Sequence, residues 1–410
     1  MVVESIRKFG LDHCDLPTMI WNVKKLLRLL ALNIDKRDEP ISVFLYIWMV
    51  FTSLCFFYIY CFCTTWFIFW HCPEHGESLY AILILSMSIC SWCAINKQLF
   101  MCYYREEIRI IVENCLSCYS WPLPNSRFAC NVVQNLRVVK KRAIIFWIII
   151  MGNGVIYIVK TLLKPGRHYP EDVFVFYALR PMDVSPNYEI NFFVQAIAIL
   201  FACFLPACVT VFFIIVTGYI EAQTLALSEE LTNILNDAIE HYKRNTDKES
   251  RPINVNEKRK IANAYVQKQL ENIIKIHTTN LNLLRQVKCI FGKPIAIEFT
   301  LVIIAVTVEL LGGLENTWLQ MPYTLIIVAI DCLIGQRVMD ASTTFEQAVY
   351  NCKWENFDAT NRKIVLLMLQ NSQKTMKLSV GGVITPSFES FMSVIKFIYS
   401  AYNALHSTVG

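Results

Sequence analysis

The sequence predicts an all-α integral membrane protein of seven transmembrane helices, with a cytosolic amino terminus and an extracellular carboxyl terminus. Three observations carry that expectation. Hydrophobic residues make up 55% of the 410 positions and charged residues 17%, against roughly 25% charged in an average globular chain. The apolar residues come in blocks: Ile41–Phe69 is almost uninterrupted, and Ile190–Tyr219 carries no charge. Runs beyond about 18 apolar residues are long enough to span a bilayer. Lys and Arg gather in 105–142, 221–290 and 336–378, are missing from 71–78 and 312–318, and are offset by acids in 164–189. That alternation assigns sides, because cytosolic loops carry the excess of Lys and Arg.

Residues 1–40 read as a cytosolic tail. Its Trp21–Leu32 segment sets Leu26, Leu27, Leu29 and Leu30 beside Lys24, Lys25 and Arg28, the pattern of an interfacial helix leading into the first span. Residues 41–220 hold transmembrane helices one to four, at about Ile41–Trp70, Leu79–Tyr103, Ala143–Leu163 and Ile190–Tyr219, with Pro206 as a kink in the fourth. Gly152 and Gly154 in span three read as close helix packing. The outer loop 164–189 is dense in proline (Pro165, Pro170, Pro181, Pro186) and aromatics (Tyr169, Phe174, Phe176, Tyr177, Tyr188). That mix suits a packed lid over a membrane cavity better than a linker.

In 221–288 two stripes at helical spacing, Leu227, Leu231, Ile234, Leu235, Ala238 and Leu270, Ile273, Ile274, His277, Leu281, predict cytosolic helical extensions of spans four and five. Spans five and six follow in 289–338, a cytosolic anchor segment in 339–378, and the final helix with its outer tail in 379–410. Gly381, Gly382 and Pro386 interrupt the helical pattern there. Broken backbone at membrane depth is tolerated only where it lines water or is buried in protein. The final helix, about Phe388–Leu405, is therefore the first candidate for a functional element.

The sixteen cysteines sit mostly in spans or cytosolic segments and read as buried or reduced thiols. His71, His75 and Glu74 around Cys72 read as solvated, so no metal site is expected. Neither a His-Glu-x-x-His nor a phosphate loop is present, and no cofactor is expected. Asp331, Glu298 and Glu309 are ionisable residues within spans, which default to functional candidates. Glu298 and Glu309 lie near span ends, where interfacial solvation is expected to account for them.

From Ala341 onward the residues resemble those of the insect odorant receptors. The resemblance covers Ala341-Ser-Thr-Thr-Phe-Glu-Gln-Ala-Val-Tyr350-Asn-Cys-Lys-Trp354, Gln370-Asn-Ser-Gln373, Ser387-Phe-Glu-Ser-Phe391 and Tyr399-Ser400-Ala-Tyr402-Asn-Ala-Leu405. It implies an odour-gated, non-selective cation channel, a heterotetramer with an obligate coreceptor in the plasma membrane of an olfactory neuron's dendrite. Its partners would be the coreceptor, a small volatile lipophilic ligand and membrane lipid, with no nucleic acid. The segment between spans four and five is shorter than a coreceptor's, which implies an odour-specific tuning subunit.

The same resemblance divides the final span into an anchor helix near Asn356–Lys377, preceded by Tyr350 and Trp354, and a pore-lining helix. The pore stripe is Phe397, Ser400, Ala401, Ala404 and Thr408, with Leu405 as a hydrophobic constriction of the kind that gates by dewetting. Lys396 shares that helix, with Glu389 two turns earlier. The ligand site is expected in the outer half of the bundle. Span two offers Tyr80, Leu83, Ile84 and Met87, and span three offers Gly154, Tyr157 and Ile158. Span four offers Phe193, Ala196, Ile199 and Leu200, and span six offers Tyr323 and Ile327. The competing classes are a gustatory-type receptor channel, whose final-helix Thr-Tyr-x5-Gln-Phe is not matched at Thr385-Pro-Ser-Phe388, and a G-protein-coupled receptor, which needs the opposite orientation.

Overall fold

The computed structural model describes residues 7–37, 40–76, 78–123, 125–172, 176–177, 181–246, 255–381 and 384–409. Pro124, Phe174, Lys248, Arg251, Pro252 and Gly382 lie outside the described residues, as do the side chains of Glu74, His75 and Thr408. Ten principal helices follow in order: α1 (Leu16–Leu29), α2 (Val43–Phe57), α3 (Ser78–Tyr103), α4 (Arg105–Tyr119), α5 (Arg127–Leu162), α6 (Asn187–Thr246), α7 (Val255–Leu311), α8 (Gln320–Tyr350), α9 (Ala359–Ser372) and α10 (Phe388–Val409). α2 is prolonged toward His75 through two wide π-helical stretches, Tyr58–Cys63 and Phe67–His71. Among the described residues, five helical stretches are long and apolar enough to cross a membrane: Val43–His71, Leu79–Tyr103, Arg127–Leu162, Asn187–Arg244 and Asn256–Leu311. The remaining two of the seven expected, α8 and α10, carry Asp331, and Glu389 with Lys396, within their apolar stretches.

α6 is the axis of the bundle. Its 60 residues extend about 90 Å at ~1.5 Å per residue, far beyond the ~30 Å hydrocarbon core of a bilayer. Residues from Ile197 to Leu227 are mostly buried, because α2, α3, α5, α7 and α8 all pack on it. α5 approaches closely at Gly218, where a Cβ would collide with the Val139 side chain. Charged clamps continue the pairing beyond the apolar segment. Arg142 donates to both Glu221 oxygens at 2.9 and 3.1 Å, and Arg127 bridges Glu230 and Asp237. Gly154 also packs tightly, 2.8 Å from Cys203 Sγ at its ideal Cβ, whereas Gly152 faces open space.

The charged 105–142 connection is mostly helix, made of α4 and the first turns of α5. α1 starts earlier than its basic-leucine stripe suggests, because Asp15 accepts from the Thr18 amide at 2.9 Å and Pro17 fills the first turn. Leu16, Met19, Ile20, Val23 and Leu27 are buried, so this helix is packed into the bundle. The stretch before it is held by Lys140, whose Nζ donates to the carbonyls of Lys8, Gly10 and His13 at 2.9, 2.6 and 2.5 Å. Cys90 with Cys93, and Cys115 with Cys118, stand at Cys-x-x-Cys spacing inside helices, and all four are free, buried thiols.

α8 ends at Tyr350, and α9 docks back on α7. Asp358 caps α9 by accepting from the Asn361 amide at 2.8 Å, while Asn263 accepts the Asp358 amide and receives Asn361 Nδ2 on its carbonyl. The return strap is pinned where the Met376 amide donates to Ser342 Oγ at 2.9 Å. A tight turn follows, with Gly381 at φ +59° and Val380 paired to Ile384 in both directions. Gly335 on α8 lets Pro386 cross: a Cβ there would collide with the Pro386 carbonyl oxygen.

Candidate functional site

A cavity of about 50 Å³ lies where α3, α5, α6 and α8 converge beside the 164–189 loop. It is lined by Tyr60, Met87, Cys90, Ser91, Asn153, Tyr157, Glu171, Ile199, Ala202, Cys203, Gln320 and Tyr323. Helical geometry explains the set. Met87, Cys90 and Ser91 share a face of α3, Asn153 and Tyr157 are one turn apart on α5, and Ile199, Ala202 and Cys203 repeat the pattern on α6. Internal bonds hold the walls. Tyr323 Oη donates to the Ala202 carbonyl at 3.0 Å, Asn153 Nδ2 to the Leu319 carbonyl at 2.9 Å, and Gln320 Nε2 to Ser86 Oγ at 3.3 Å.

The described parts of the loop form a packed cover. Tyr169 and Phe176 are buried, Tyr169 Oη donates to the Met182 carbonyl at 2.7 Å, and Tyr188 Oη to the His168 carbonyl at 3.1 Å. Tyr177 sets its ring edge-on to Phe62 and Trp66. This packing drives Glu171 inward to 8% exposure. Burial pushes its carboxyl up to about 8, and the Lys160 ammonium offsets only part of that shift.

Of the expected ligand residues, Met87, Tyr157, Ile199 and Tyr323 line the cavity. Tyr80, Phe193 and Leu200 are instead exposed on the outside of the bundle. Leu83 packs over Gly312, and Gly154 packs against Cys203. Ile84 and Ile327 are buried in the core away from the cavity wall, while Ile158 and Ala196 are half-buried beside it. On α3 and α6 the cavity wall is also made by Cys90, Ser91, Ala202 and Cys203, one turn beyond Met87 and Ile199. Continuing the i, i+3, i+4 stripes from Met87 and Ile199 finds those four. No periodic signal marks Tyr60 or Glu171, since the first comes from a widened helical turn and the second from a loop.

The ionisable residues within the spans are also placed differently from expectation. Glu298 and Glu309 are both fully buried, so interfacial solvation does not account for them. Glu309 accepts from Thr324 Oγ1 at 2.9 Å. Glu298 meets Lys97 Nζ at 2.9 Å, and Lys97 donates to Thr210 Oγ1 at 2.7 Å. Asp331 lines the same small void as Lys97.

At the carboxyl end, α10 is only partly packed. Ile398 is buried, whereas Phe397, Ser400, Ala404 and Leu405 are exposed and Ala401 is half-buried. Lys396 and Glu389 are on the exposed side as well, and Tyr350 and Trp354 are exposed ahead of α9. Larger spaces of about 880 and 250 Å³ lie at the opposite end of the bundle from the 164–189 loop, beside the amino-terminal segment and α5, and another of about 340 Å³ lies between α5 and α8, bordered by Asn153 and Tyr323.

A lidded cavity within a bundle of long apolar helices, joined to an incompletely packed terminal helix, defines a multi-pass membrane receptor. The family described as 7tm Odorant receptor matches residues 79–399, and the chain belongs to that family. It is a receptor of the insect odorant type and not an enzyme. Odorant receptor 49a of Drosophila melanogaster is 24% identical over 148 residues, which is 34% of this chain and 37% of that receptor. The odorant receptor coreceptor of Ooceraea biroi is 29% identical over 83 residues, 20% of this chain and 17% of the coreceptor. The chain thus spans little more than a third of the first relative and less of the second. The insect olfactory receptor OR5 from Machilis hrabei superimposes with a TM-score of 0.75 at 14% identity, over 95% of this chain and 98% of that one. Its complex with eugenol gives 0.72 at the same identity, over 96% and 98%. At that identity the likeness shows the fold, which is the seven-helix odorant receptor fold.

Proposed function

We propose that this chain is an odour-specific tuning subunit which forms, with a coreceptor, a non-selective cation channel in the dendritic plasma membrane of an olfactory neuron. A small volatile molecule bound in the cavity under the 164–189 loop opens it. One observation carries the mechanism: α8 joins the cavity to the terminal helix. Gln320 and Tyr323 at one end of α8 line the cavity. Further along, Gly335 lies against the Pro386 backbone and Gln336 Oε1 accepts from the Phe388 amide at 3.3 Å. A displacement of α8 at the cavity therefore reaches the start of α10.

The cavity's volume of about 50 Å³ is far below the ~300–1,000 Å³ of ordinary ligand pockets. A ligand must push Met87, Tyr157 or Tyr323 outward to fit, so it binds an expanded state better than the closed one. That difference in affinity is what allows a ligand to shift a conformational equilibrium. α10 would line the pore through Phe397, Ser400, Ala401, Ala404 and Thr408, with Leu405 at the constriction, and α9 with Tyr350 and Trp354 would anchor neighbouring subunits. In support, α10 exposes the apolar side chains of Phe388, Met392, Phe397 and Leu405, and exposed apolar surface of this kind marks interaction sites.

The test is expression with and without a coreceptor in a cell lacking both, with whole-cell recording of odour-evoked current. Current that requires the coreceptor and persists when G-protein signalling is blocked is the expected result. Current from this chain alone would overturn the tuning-subunit reading, and current lost with G-protein block would overturn the channel reading.

A further inference from the structure

The polar groups on the cavity wall are unevenly matched. Three donors of the wall are engaged with the protein itself: Asn153 and Gln320 each give an amide proton, to the Leu319 carbonyl and Ser86, and Tyr323 gives its hydroxyl to Ala202. Among the described residues, the buried atoms of the lining that lack a hydrogen-bond partner are both oxygens, Glu171 Oε2 and Gln320 Oε1. A ligand that fits this wall is a donor. The charge inventory points the same way, because the lining includes one carboxyl, Glu171, and no Lys, Arg or His. The nearby Lys160 makes no ion pair with Glu171. Its ammonium sits 5.7 Å from the Tyr157 ring and 5.9 Å from the Trp318 ring.

Three tyrosines, Tyr60, Tyr157 and Tyr323, complete the wall, and aromatic rings around a desolvated ammonium attract it through their quadrupoles. We infer that the cavity selects small primary amines, with the Glu171 carboxyl as the group that receives the ligand's ammonium. This rests on the reading of the cavity as the odour site. An unpaired buried carboxyl is costly to ionise, and in the empty cavity burial raises it to about 8. A primary alkylamine has a basicity near that of lysine, about 10.4, so it arrives from neutral water already as the ammonium. On pairing, the Glu171 carboxyl O–H bond breaks, its proton leaves to solvent, and the carboxylate holds the ammonium as an ion pair. An alcohol of the same skeleton gains one hydrogen bond and no ion pair.

The experiment compares 2-phenylethylamine with 2-phenylethanol, which share a carbon skeleton, by binding isotherms on the purified full chain in lipid nanodiscs. The wild type is expected to bind the amine tighter than the alcohol by about tenfold or more, the scale of one hydrogen bond to a charged group. Glu171→Gln should erase that preference while keeping alcohol binding, which also shows that the variant is folded. Glu171→Asp should retain part of the preference. Equal affinity for the two probes in the wild type, absence of amine binding, or an amine preference that survives Glu171→Gln would each overturn the inference. No current is measured, so failure of the channel reading leaves this result intact. Conversely, coreceptor-dependent current evoked by neutral odours would stand even if amine selection fails.

Discussion

Replacing Lys97 with Met should be among the most destabilising single changes available in this chain. Lys97 is 5% exposed and faces Glu298, which is fully buried, at 2.9 Å. Asp331, 1% exposed, borders the same void. One ammonium therefore serves two carboxyls in a region that water does not reach. Deleting it leaves the acids without a counter-charge, and breaking a buried pair in this way costs about 3–5 kcal/mol. A further ~1 kcal/mol goes with the hydrogen bond to Thr210. Thermal or denaturant unfolding of detergent-purified protein measures the loss. The triple change Lys97→Met, Glu298→Leu and Asp331→Leu should recover most of it, since hydrophobic replacement of a whole buried charge cluster is often neutral or stabilising. A Lys97→Met protein within about 1 kcal/mol of wild type would refute the reasoning, because the acids would then have another source of compensation.

Three further outcomes follow from other parts of the fold. Gly335→Ala drives a methyl into the backbone carbonyl oxygen of Pro386, so stability should fall by about 1–3 kcal/mol, and ligand-evoked current should fall beyond any loss of surface protein. Lys140→Met removes the donor to three carbonyls; hydrogen exchange at residues 7–15 should rise while the spans stay protected, and unchanged exchange would show that other contacts hold the segment. His277 lies on α7 well before its apolar stretch, stacked on Phe345 at 4.3 Å, and burial depresses its pKa from 6.5 to about 4. Between those values the unfolded chain binds the proton and the folded chain does not, so the stability His277 contributes is full above pH 6.5 and is lost as pH falls toward 4. His277→Phe should flatten that part of the stability profile.

Much of this architecture was legible in the sequence for a simple reason. Burial of an apolar stripe at helical spacing is a local property, so the spans, the extension of α6 and α7 beyond the bilayer, and the break around Gly381 and Pro386 could be read residue by residue. The C-terminal run from Ala341 to Trp354 carried the family resemblance. Its Ser342 proves to hold the Met376 amide, and its Phe345 to stack on His277, two contacts that no spacing rule announces.

Composition, apolar blocks and basic loops by themselves determined a multi-pass helical membrane protein. They do not determine which turn of an apolar face meets a cavity, because successive turns of one face look alike in sequence: Cys90 and Ser91 border the cavity, whereas Leu83 packs over Gly312. Only the tertiary structure decided that Lys97, Glu298 and Asp331 meet, since each is distant from the others along the chain and becomes a partner only once α3, α7 and α8 are packed. It alone turned Glu171 inward, because the direction of a loop side chain follows from how Tyr169 and Phe176 pack on the bundle rather than from any local period.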